Sequence, residues 1–458
     1  MSEPSSRSRR LLDPLFTTDA TRAVFSDHGR LQAMLDFEAA LARAEAAVGV
    51  IPMSAAAAIA AQCRAELYDV DTLAARAATA GNLAIPLVKE LTARVAQSDA
   101  QAAGFVHWGA TSQDVIDTGL VLQLRAACDL IENDVEALAS AIARLARTHA
   151  RTPLAARTLL QHALPSTFGL KLAGWLDALE RDRARLRAAR GRILVLQFGG
   201  AAGTLAALGE HGLGVAAALA RELGLASPAL PWHTHRDRLA EAAATLGLLA
   251  GTLGKIGRDV TLLMQTEVAE ALEPSAPGRG GSSTLPHKRN PVGSLVAMAA
   301  ALRVPHLVAT MFAAMVQEHE RAAGAWHAEW EVLPEICALT AGAAAQLRQV
   351  IEGLEIDPAR MRANLEQTRG LIMAEAVTMA LARALGRDAA HQLVEAASRR
   401  AVTEGRHLRD VLAADPGAMR HVTAVELDRL FDPSSYTGSA EQMVERVLGE
   451  WSEAGGRK

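Results

Sequence analysis

The sequence predicts an all-α protein, and three observations support this fold class. Hydrophobic residues make up 50% of the 458 residues, whereas aromatic residues make up 3%, with two tyrosines in all. Alanine, the residue with the highest helix propensity, is frequent throughout, and the aromatic residues favoured in strands are scarce. Between residues 246 and 263, apolar residues recur at alternating steps of three and four, which is typical of a long helix in a bundle. A chain of this length suggests about two to four domains with a large core.

The charge balance argues against a nucleic-acid-binding or membrane-surface protein. There are 47 basic and 51 acidic residues, which give a net charge of −4 and an isoelectric point near 6.4. The arginine-rich segment 181–192 also contains acidic residues, and we interpret it as a solvated helix face. Cys63, Cys128 and Cys337 are too far apart to indicate a disulfide framework or a zinc site. We expect three buried thiols in a reducing cytoplasm.

The N-terminal segment Met1 to Arg10 is polar and basic and lacks the apolar core of a signal peptide. We expect it to be a disordered leader. We find no run that approaches the roughly 20 apolar residues needed to span a bilayer, so the sequence predicts a soluble, cytoplasmic protein.

The first long helix is predicted from Thr21 to about Val50. Gly49 and Pro52 are expected to end it. Its apolar face contains four residues at helical spacing. These are Leu31, Met34, Leu35 and Leu41.

Residues 107–114 read HWGATSQD and predict a capped helix start. Thr111 can cap the helix, and Asp114, three residues later, completes a capping box. A helix N-terminus presents free N–H groups and the positive end of a dipole, so it is suited to binding a carboxylate. Two interpretations stay open from these residues alone, a carboxylate-binding site or merely a well-capped helix.

A long helix is predicted from Leu239 to Glu273, about 50 Å at 1.5 Å per residue. The same three- and four-residue steps place Glu267 and Glu270 on its apolar seam, where a carboxylate is costly unless it is paired. Exposure at the helix end and a role in orienting an active site are both compatible with this pattern.

The glycine cluster in residues 197–205 is a weak phosphate signal, because no P-loop Lys-Ser/Thr pair follows it.

Residues 278–291 form a glycine-rich segment that carries reactive side chains. Gly278, Gly280 and Gly281 predict a mobile loop, and Asn290 followed by Pro291 predicts a helix start. Three hydroxyls, an imidazole, a lysine and an arginine lie between them. The pattern favours a loop, at residues 275–291, that carries chemical groups over an accidental polar hinge.

Residues 281–291 read GSSTLPHKRNP and resemble the signature GSSxMPxKxNP of the fumarase/aspartase superfamily, with Leu285 in place of methionine. In that superfamily the loop closes over the substrate, and its first serine transfers the proton next to a carboxylate. The resemblance therefore implies that Ser282 is the catalytic residue and that Lys288 and Asn290 bind substrate. It also implies that no metal or organic cofactor is needed.

The resemblance extends over nearly the whole chain and implies a three-domain helical fold with a central bundle of long helices. The expected domains are residues 1–110, 111–355 and 356–458. It further implies a homotetramer in which three subunits contribute to each active site. The substrate-binding residues implied outside the signature are His107, Thr111, Ser112, Gln161, His162, Thr204 and Arg236; Gln197 is a further candidate.

Several segments resemble the carboxymuconate cycloisomerase branch of the superfamily, among them residues 197–205 and 318–330. The superfamily's lyases usually carry a histidine that protonates the leaving group at the position of Leu159. We expect Leu159 to lie on a helix-like segment that also contains Gln161 and His162. Expelling an amine needs such an acid, because the conjugate acid of an amine has a pKa on the order of 10, whereas a carboxylate, with a pKa of about 4, leaves without help. We therefore expect a cycloisomerase that lactonises a carboxymuconate. The alternatives are a β-elimination lyase acting on another small polycarboxylate and a helical structural protein that has lost catalysis.

Overall fold

The computed structural model describes residues 11–275, 278, 280, 281, 285 and 287–455. The leader predicted at Met1 to Arg10 lies outside these residues. Within them the chain is predominantly helical, as the sequence predicts.

Nineteen α-helices are present in the described residues. The first ten are α1 (Asp13–Phe16), α2 (Asp19–Val24), α3 (Asp27–Val48), α4 (Met53–Gln62), α5 (Val70–Ala80), α6 (Ala84–Ser98), α7 (Ser112–Thr148), α8 (Phe168–Ile193), α9 (Gly212–Leu223) and α10 (Asp237–Leu263). The others are α11 (Val292–Ala313), α12 (Ala325–Glu352), α13 (Pro358–Leu365), α14 (Ala374–Leu385), α15 (Arg387–Glu404), α16 (Leu408–Ala413), α17 (Pro416–Met419), α18 (Ala424–Leu430) and α19 (Ala440–Gly455). The strands form two antiparallel pairs, β1 (Pro153–Thr158) with β2 (Gln161–Thr167) and β3 (Ala271–Leu272) with β4 (Glu355–Ile356).

The chain divides into two compact units. Unit 1 contains the residues up to Val135, Arg181–Lys255 and Val296–Leu347. Unit 2 contains Glu136–Glu180, Ile256–Leu295 and the residues from Arg348 onward. In unit 1, α3 packs against α4 and α9. In unit 2, the buried residues Val377, Val394 and Leu408 belong to a core formed by α14 to α18.

The apolar seam of α10 is confirmed, but the helix is shorter than predicted. Its six seam residues are all at most 4% exposed. The helix ends at Leu263 instead of Glu273, and Ala269 has a positive φ of 48°. Glu270 is nevertheless fully buried, and it is paired with Arg157 in unit 2. Burial of this carboxylate is therefore compensated by an ion pair.

The single helix predicted from Thr21 to Val50 is wrong, because the chain breaks between α2 and α3. Ser26 caps α3 by accepting a hydrogen bond from the N–H group of Gly29 at 3.0 Å. A side chain at Gly29 would lie 2.3 Å from the carbonyl oxygen of Ala23, so only glycine fits this close approach. The predicted end of the helix is confirmed, since Gly49 forms its C-cap at a φ of 84°.

The segment around Leu159 was expected to be helical and is instead a β-hairpin. Thr158 pairs with Gln161, so Leu159 and Leu160 form a two-residue turn with φ values of 50° and 66°. Such turns favour asparagine and glycine, and two leucines there are strained. Both side chains are exposed, Leu159 to 96%.

Two expectations about the surface need correction. By length and composition, α10 and α11 could each cross a membrane, although a core helix of a soluble protein passes the same test. Within α11, Arg303 forms an ion pair with Glu335 of α12, as in a helix packed in a bundle.

In the arginine-rich segment 181–192, Asp182 and Arg183 are buried, while most other residues are exposed. The three cysteines are buried free thiols, as predicted.

Candidate active site

The N-terminus of α7 lies at the centre of the candidate site in unit 1. The N–H group of Thr111 donates a hydrogen bond to Oδ2 of Asp114 at 3.1 Å, which is one half of the predicted capping box. The Thr111 hydroxyl does not complete the box. It accepts a hydrogen bond from the guanidinium of Arg321 at 3.2 Å. Ser112 is the first residue of the helix and is partly exposed.

Asp114 joins this helix end to the glycine cluster. Its fully buried carboxylate accepts hydrogen bonds from the N–H groups of Gly199 and Gly200, at 3.0 and 2.9 Å. Nε2 of His233 lies 3.2 Å from the same carboxylate. A side chain at Gly200 would lie 2.9 Å from the carbonyl oxygen of Gly109, so the glycine allows the two loops to meet. The glycine cluster therefore binds a carboxylate of the protein itself.

His107 lies just before this helix and is bound to a buried carboxylate. Its Nδ1 is 2.6 Å from Oε1 of Glu38 in α3, and Glu38 is 1% exposed. His107 has a positive φ of 58°, which is uncommon for a residue other than glycine. Burial alone would lower the pKa of His107, but the charge and hydrogen bond of Glu38, together with Asp114, raise it above its ordinary value. The ring is therefore suited to binding an anion.

Arg321 is a site residue that the sequence analysis did not identify. Its guanidinium donates to Oγ1 of Thr111, to Oε1 of Gln113 and to the carbonyl oxygen of Ala201, at 3.2 to 3.3 Å. All three acceptors are neutral, and the residue is exposed. Its charge is therefore available to a bound carboxylate. No local pattern marks Arg321, because its partners are about 120 to 210 residues away in sequence.

The substrate-binding role predicted for Arg236 is not supported by its contacts. The side chain is 1% exposed and forms ion pairs with Asp117 and Glu329, at 2.6 and 2.5 Å. Together with the carbonyl oxygen of His233, these carboxylates accept from all three guanidinium nitrogens. Trp326 and Gln113 also donate to Asp117. Arg236 is therefore part of a buried ion cluster that holds α7, α10 and α12 together in unit 1.

Gln197 and Thr204, both in the glycine cluster, differ in position. Gln197 is fully buried; its amide donates to Asp114 at 3.0 Å and accepts from the N–H group of Trp232 at 2.7 Å. The substrate contact suggested for Gln197 is therefore replaced by a structural one. Thr204 is exposed, and its role stays a prediction.

In unit 2, the β1–β2 hairpin positions Gln161 and His162. Gln161 is exposed, whereas His162 is partly buried and its Nδ1 has no hydrogen-bond partner among the described residues. Burial and the nearby charge of Arg157 lower the pKa of His162. Arg157 forms a bidentate ion pair with Glu270 at 2.7 and 2.9 Å, and Asn364 donates to the same carboxylate. Both predicted residues thus lie in a strand, where a helix was expected.

The catalytic serine predicted at Ser282 lies outside the described residues, as do Ser283 and Thr284. Lys288 is exposed and Asn290 is partly exposed. The N–H group of Asn290 donates to the carbonyl oxygen of Gly280 at 2.9 Å.

The side-chain cap predicted for Asn290 is instead supplied by Glu273. The buried carboxylate of Glu273 accepts from the N–H groups of Gly293 and Ser294 at 3.1 and 2.8 Å, in the first turn of α11. Asn290 therefore leaves its amide unused in capping, and its role in binding stays a prediction.

In unit 1, the structure brings His107, Thr111 and Ser112 together with Arg321. These residues supply an imidazole of raised pKa, a hydroxyl, a helix N-terminus and a guanidinium. Such groups bind and stabilise carboxylates and the negative charge that develops on them. The described residues contain no group of three or more His, Cys, Asp or Glu side chains arranged to hold a metal ion.

Comparison with known proteins identifies the class. The family model described as lyase matches residues 15–305, and that of the adenylosuccinate lyase C-terminus matches residues 370–447. The chain therefore belongs to this lyase family, within the fumarase/aspartase superfamily. The superfamily resemblance of residues 281–291 is confirmed.

Three relatives are informative about the branch. The 3-carboxy-cis,cis-muconate cycloisomerase of Pseudomonas aeruginosa is 62% identical, over 97% of this chain and 96% of its own. The crystal structure of the 3-carboxy-cis,cis-muconate lactonizing enzyme from Pseudomonas putida matches with a TM-score of 0.94 and 57% identity, over 97% of this chain and 99% of its own. A nitrosuccinate lyase from Streptomyces davaonensis is 45% identical, over 96% of this chain and 94% of its own.

Proposed function

We propose that this chain is a cycloisomerase that converts 3-carboxy-cis,cis-muconate into 4-carboxymuconolactone, a step of protocatechuate breakdown in the β-ketoadipate pathway. The observation that carries the proposal is the full-length similarity to two enzymes named for this reaction. The anion-binding groups at the start of α7 are appropriate for a substrate with three carboxylates.

In the proposed reaction, one carboxylate oxygen of the substrate adds to a conjugated double bond and forms the C–O bond of the lactone. The electron pair moves to the neighbouring carbon, next to a second carboxylate, and a proton from Ser282 is transferred to that carbon. In the reverse direction Ser282 acts as the base. Ser282 then regains a proton from solvent, so the net reaction consumes one proton and needs no co-reactant.

We assign the binding of carboxylates to His107, Thr111, Ser112 and Arg321 in unit 1. Their donors would stabilise the negative charge that develops next to a carboxylate when the oxygen adds. Gln161, His162, Thr204, Lys288 and Asn290 remain proposed binding residues. Arg236 is withdrawn from this set, because carboxylates and a carbonyl oxygen of the protein occupy its donors.

Leu159 supports a reaction in which the leaving group of the reverse step is a weak base. A carboxylate departs without a general acid, so an apolar residue suffices where other lyases carry histidine. Elimination of nitrite from a nitrosuccinate would also release a weak base. Leu159 therefore does not separate these two reactions, and the similarity to a nitrosuccinate lyase keeps a β-elimination lyase as the second candidate.

We further propose that the protein is a cytoplasmic homotetramer of three-domain subunits, divided at about residues 110 and 355, whose active sites are shared between three subunits. Exposed apolar side chains on the bundle helices support burial against further copies of the chain. In unit 1 these are Leu248 of α10, Leu302 and Phe312 of α11, and Val316 after it, each at least 50% exposed. We do not expect nucleic acid or a membrane as a partner.

An ultraviolet assay with 3-carboxy-cis,cis-muconate tests the proposed function. Lactonisation removes the conjugated diene, so its absorbance should disappear on addition of the enzyme. The same protein should leave a nitrosuccinate and an adenylosuccinate unchanged. Release of fumarate or of nitrite, without loss of diene absorbance in the muconate assay, would establish the lyase alternative.

A further inference from the structure

The pair formed by His107 and Glu38 joins two distant parts of unit 1. Glu38 lies in the middle of α3, 69 residues before His107, and its side chain is fully buried. One of its oxygens lies 2.6 Å from Nδ1 of His107, and the other has no hydrogen-bond partner among the described residues. Burying a carboxylate with one hydrogen-bond partner costs free energy, so we expect Glu38 to have a role beyond packing.

The geometry limits what the imidazole of His107 can do. Because Nδ1 is directed at Glu38, Nε2 is the nitrogen that remains for a ligand. A histidine ring whose one nitrogen binds a carboxylate has a fixed orientation and tautomer. The positive φ of His107, at 58°, places the residue in a strained backbone conformation four residues before Thr111. The bond to Glu38 ties the ring to α3 and so helps to hold this conformation.

We propose that Glu38 is a positioning residue for the cycloisomerase reaction: its carboxylate fixes the His107 ring so that the Nε2–H group is presented to a carboxylate of the substrate. This inference rests on the proposed function, since it requires a polycarboxylate ligand. Glu38 itself does not touch the substrate. Its effect is transmitted through the orientation and charge of His107.

Three titratable side chains that interact electrostatically with Glu38 are neutral at neutral pH. Glu45 lies two turns further along α3, and burial and the charge of Glu38 raise its pKa to about 9, so it is neutral at neutral pH. Burial also raises the pKa of the Cys63 thiol and of the Tyr68 phenol, and the charge of Glu38 contributes to both shifts. The carboxylates that raise the pKa of His107 are therefore those of Glu38 and Asp114.

The test is the pH dependence of kcat/KM in Glu38→Gln. Glutamine keeps the shape but removes the charge, so burial lowers the pKa of His107 and only the charge of Asp114 remains to oppose it. We expect the alkaline limb of kcat/KM to move down by about one pH unit or more, since an opposite charge at this distance shifts a pKa by roughly 1 to 3. The loss should appear mainly in KM. Glu38→Asp keeps the charge and should restore part of the wild-type profile.

Glu45→Gln is the matched control, because it changes a buried glutamate of the same helix that is already neutral. Its pH profile should coincide with that of the wild type. An unchanged profile in Glu38→Gln, or an equal shift in Glu45→Gln, would overturn the proposal.

A second measurement does not depend on turnover, and the protein that is titrated is the wild type. In wild-type protein labelled with ¹³C at histidine Cε1, the His107 signal, assigned by its absence in His107→Asn, should titrate above the ordinary pKa of about 6.5. Titration below that value would refute the role of Glu38 even if the enzyme is active. A wild-type enzyme that fails the diene assay while His107 titrates high would instead refute the proposed function.

Discussion

Glu45 gives the prediction whose magnitude follows most directly from the structure. Its side chain is fully buried in α3, and neither of its oxygens has a hydrogen-bond partner among the described residues. Burial, with a smaller contribution from the charge of Glu38, raises its pKa from 4.5 to about 9. Folding above pH 4.5 therefore requires this carboxyl to take up a proton that the unfolded chain has released.

The sign and size of the effect of Glu45 on the free energy of unfolding follow from proton linkage. The unfolded state is deprotonated above pH 4.5 and the folded state is protonated up to about pH 9, so in this window the stability falls as pH rises. Each pH unit changes the free energy of unfolding by about 1.4 kcal/mol. Glu45→Gln removes this dependence, because glutamine is neutral in both states. Relative to the wild type, the variant should gain roughly 4 kcal/mol between pH 5 and pH 8, and almost nothing below pH 4.5.

Urea unfolding followed by circular dichroism, at one protein concentration and at several pH values, measures this difference. Glu210→Gln is the matched control, since the Glu210 side chain is 91% exposed and its surroundings change little on unfolding. The control should follow the wild type at every pH. A gap between Glu45→Gln and the wild type that stays constant from pH 5 to pH 8 would show that Glu45 is ionised in the folded protein, and the reasoning would fail.

Three further predictions concern the reaction. Arg321→Met should raise KM by roughly 10- to 100-fold, because a hydrogen bond to a charged group contributes about 1.5–3 kcal/mol. Arg321→Lys keeps the charge and should recover part of the loss. A KM within twofold of wild type in the Met variant would remove Arg321 from the site. Ser282→Ala should lower kcat by roughly 10²–10⁴-fold without changing the elution volume in gel filtration. Retention of more than about a tenth of wild-type turnover would assign the proton transfer to another group. Mixing inactive His107→Ala and Ser282→Ala chains after dissociation should restore activity, because mixed tetramers contain sites built from unmutated segments. If mass spectrometry confirms that subunits have exchanged and turnover does not recover, sites shared between subunits are excluded.

The sequence predicts those features that depend on local spacing. The seam of α10, the end of α3 at Gly49 and the start of α7 near Thr111 all follow from periodicity and capping residues, and the structure contains them. The β1–β2 hairpin has no such signal, because Leu159 and Leu160 stand where a turn of this kind normally carries asparagine or glycine. Its tertiary contacts override the local preference.

The site residues that sequence reasoning missed are those paired over long distances. Glu38 and His107 are 69 residues apart, and Arg321 reaches Thr111 across 210 residues. The cap of α11 is another such pairing, because Glu273 accepts from the N–H group of Gly293, 20 residues later in the chain. Arg236 is the converse case, since its type suggests anion binding while its buried partners Asp117 and Glu329 leave it no free donor. Such pairings depend on the packed fold and leave no pattern in the chain.

The most direct test of the cycloisomerase assignment is the reaction of 3-carboxy-cis,cis-muconate with the wild-type protein in D₂O, followed by NMR and mass spectrometry. Addition of a carboxylate oxygen and a solvent-derived proton should give a lactone of the substrate's composition with one deuterium bound to carbon. The diene signals should disappear at the same rate, with no smaller fragment released. Persistence of the diene, or release of a fragment such as fumarate, would contradict the assignment.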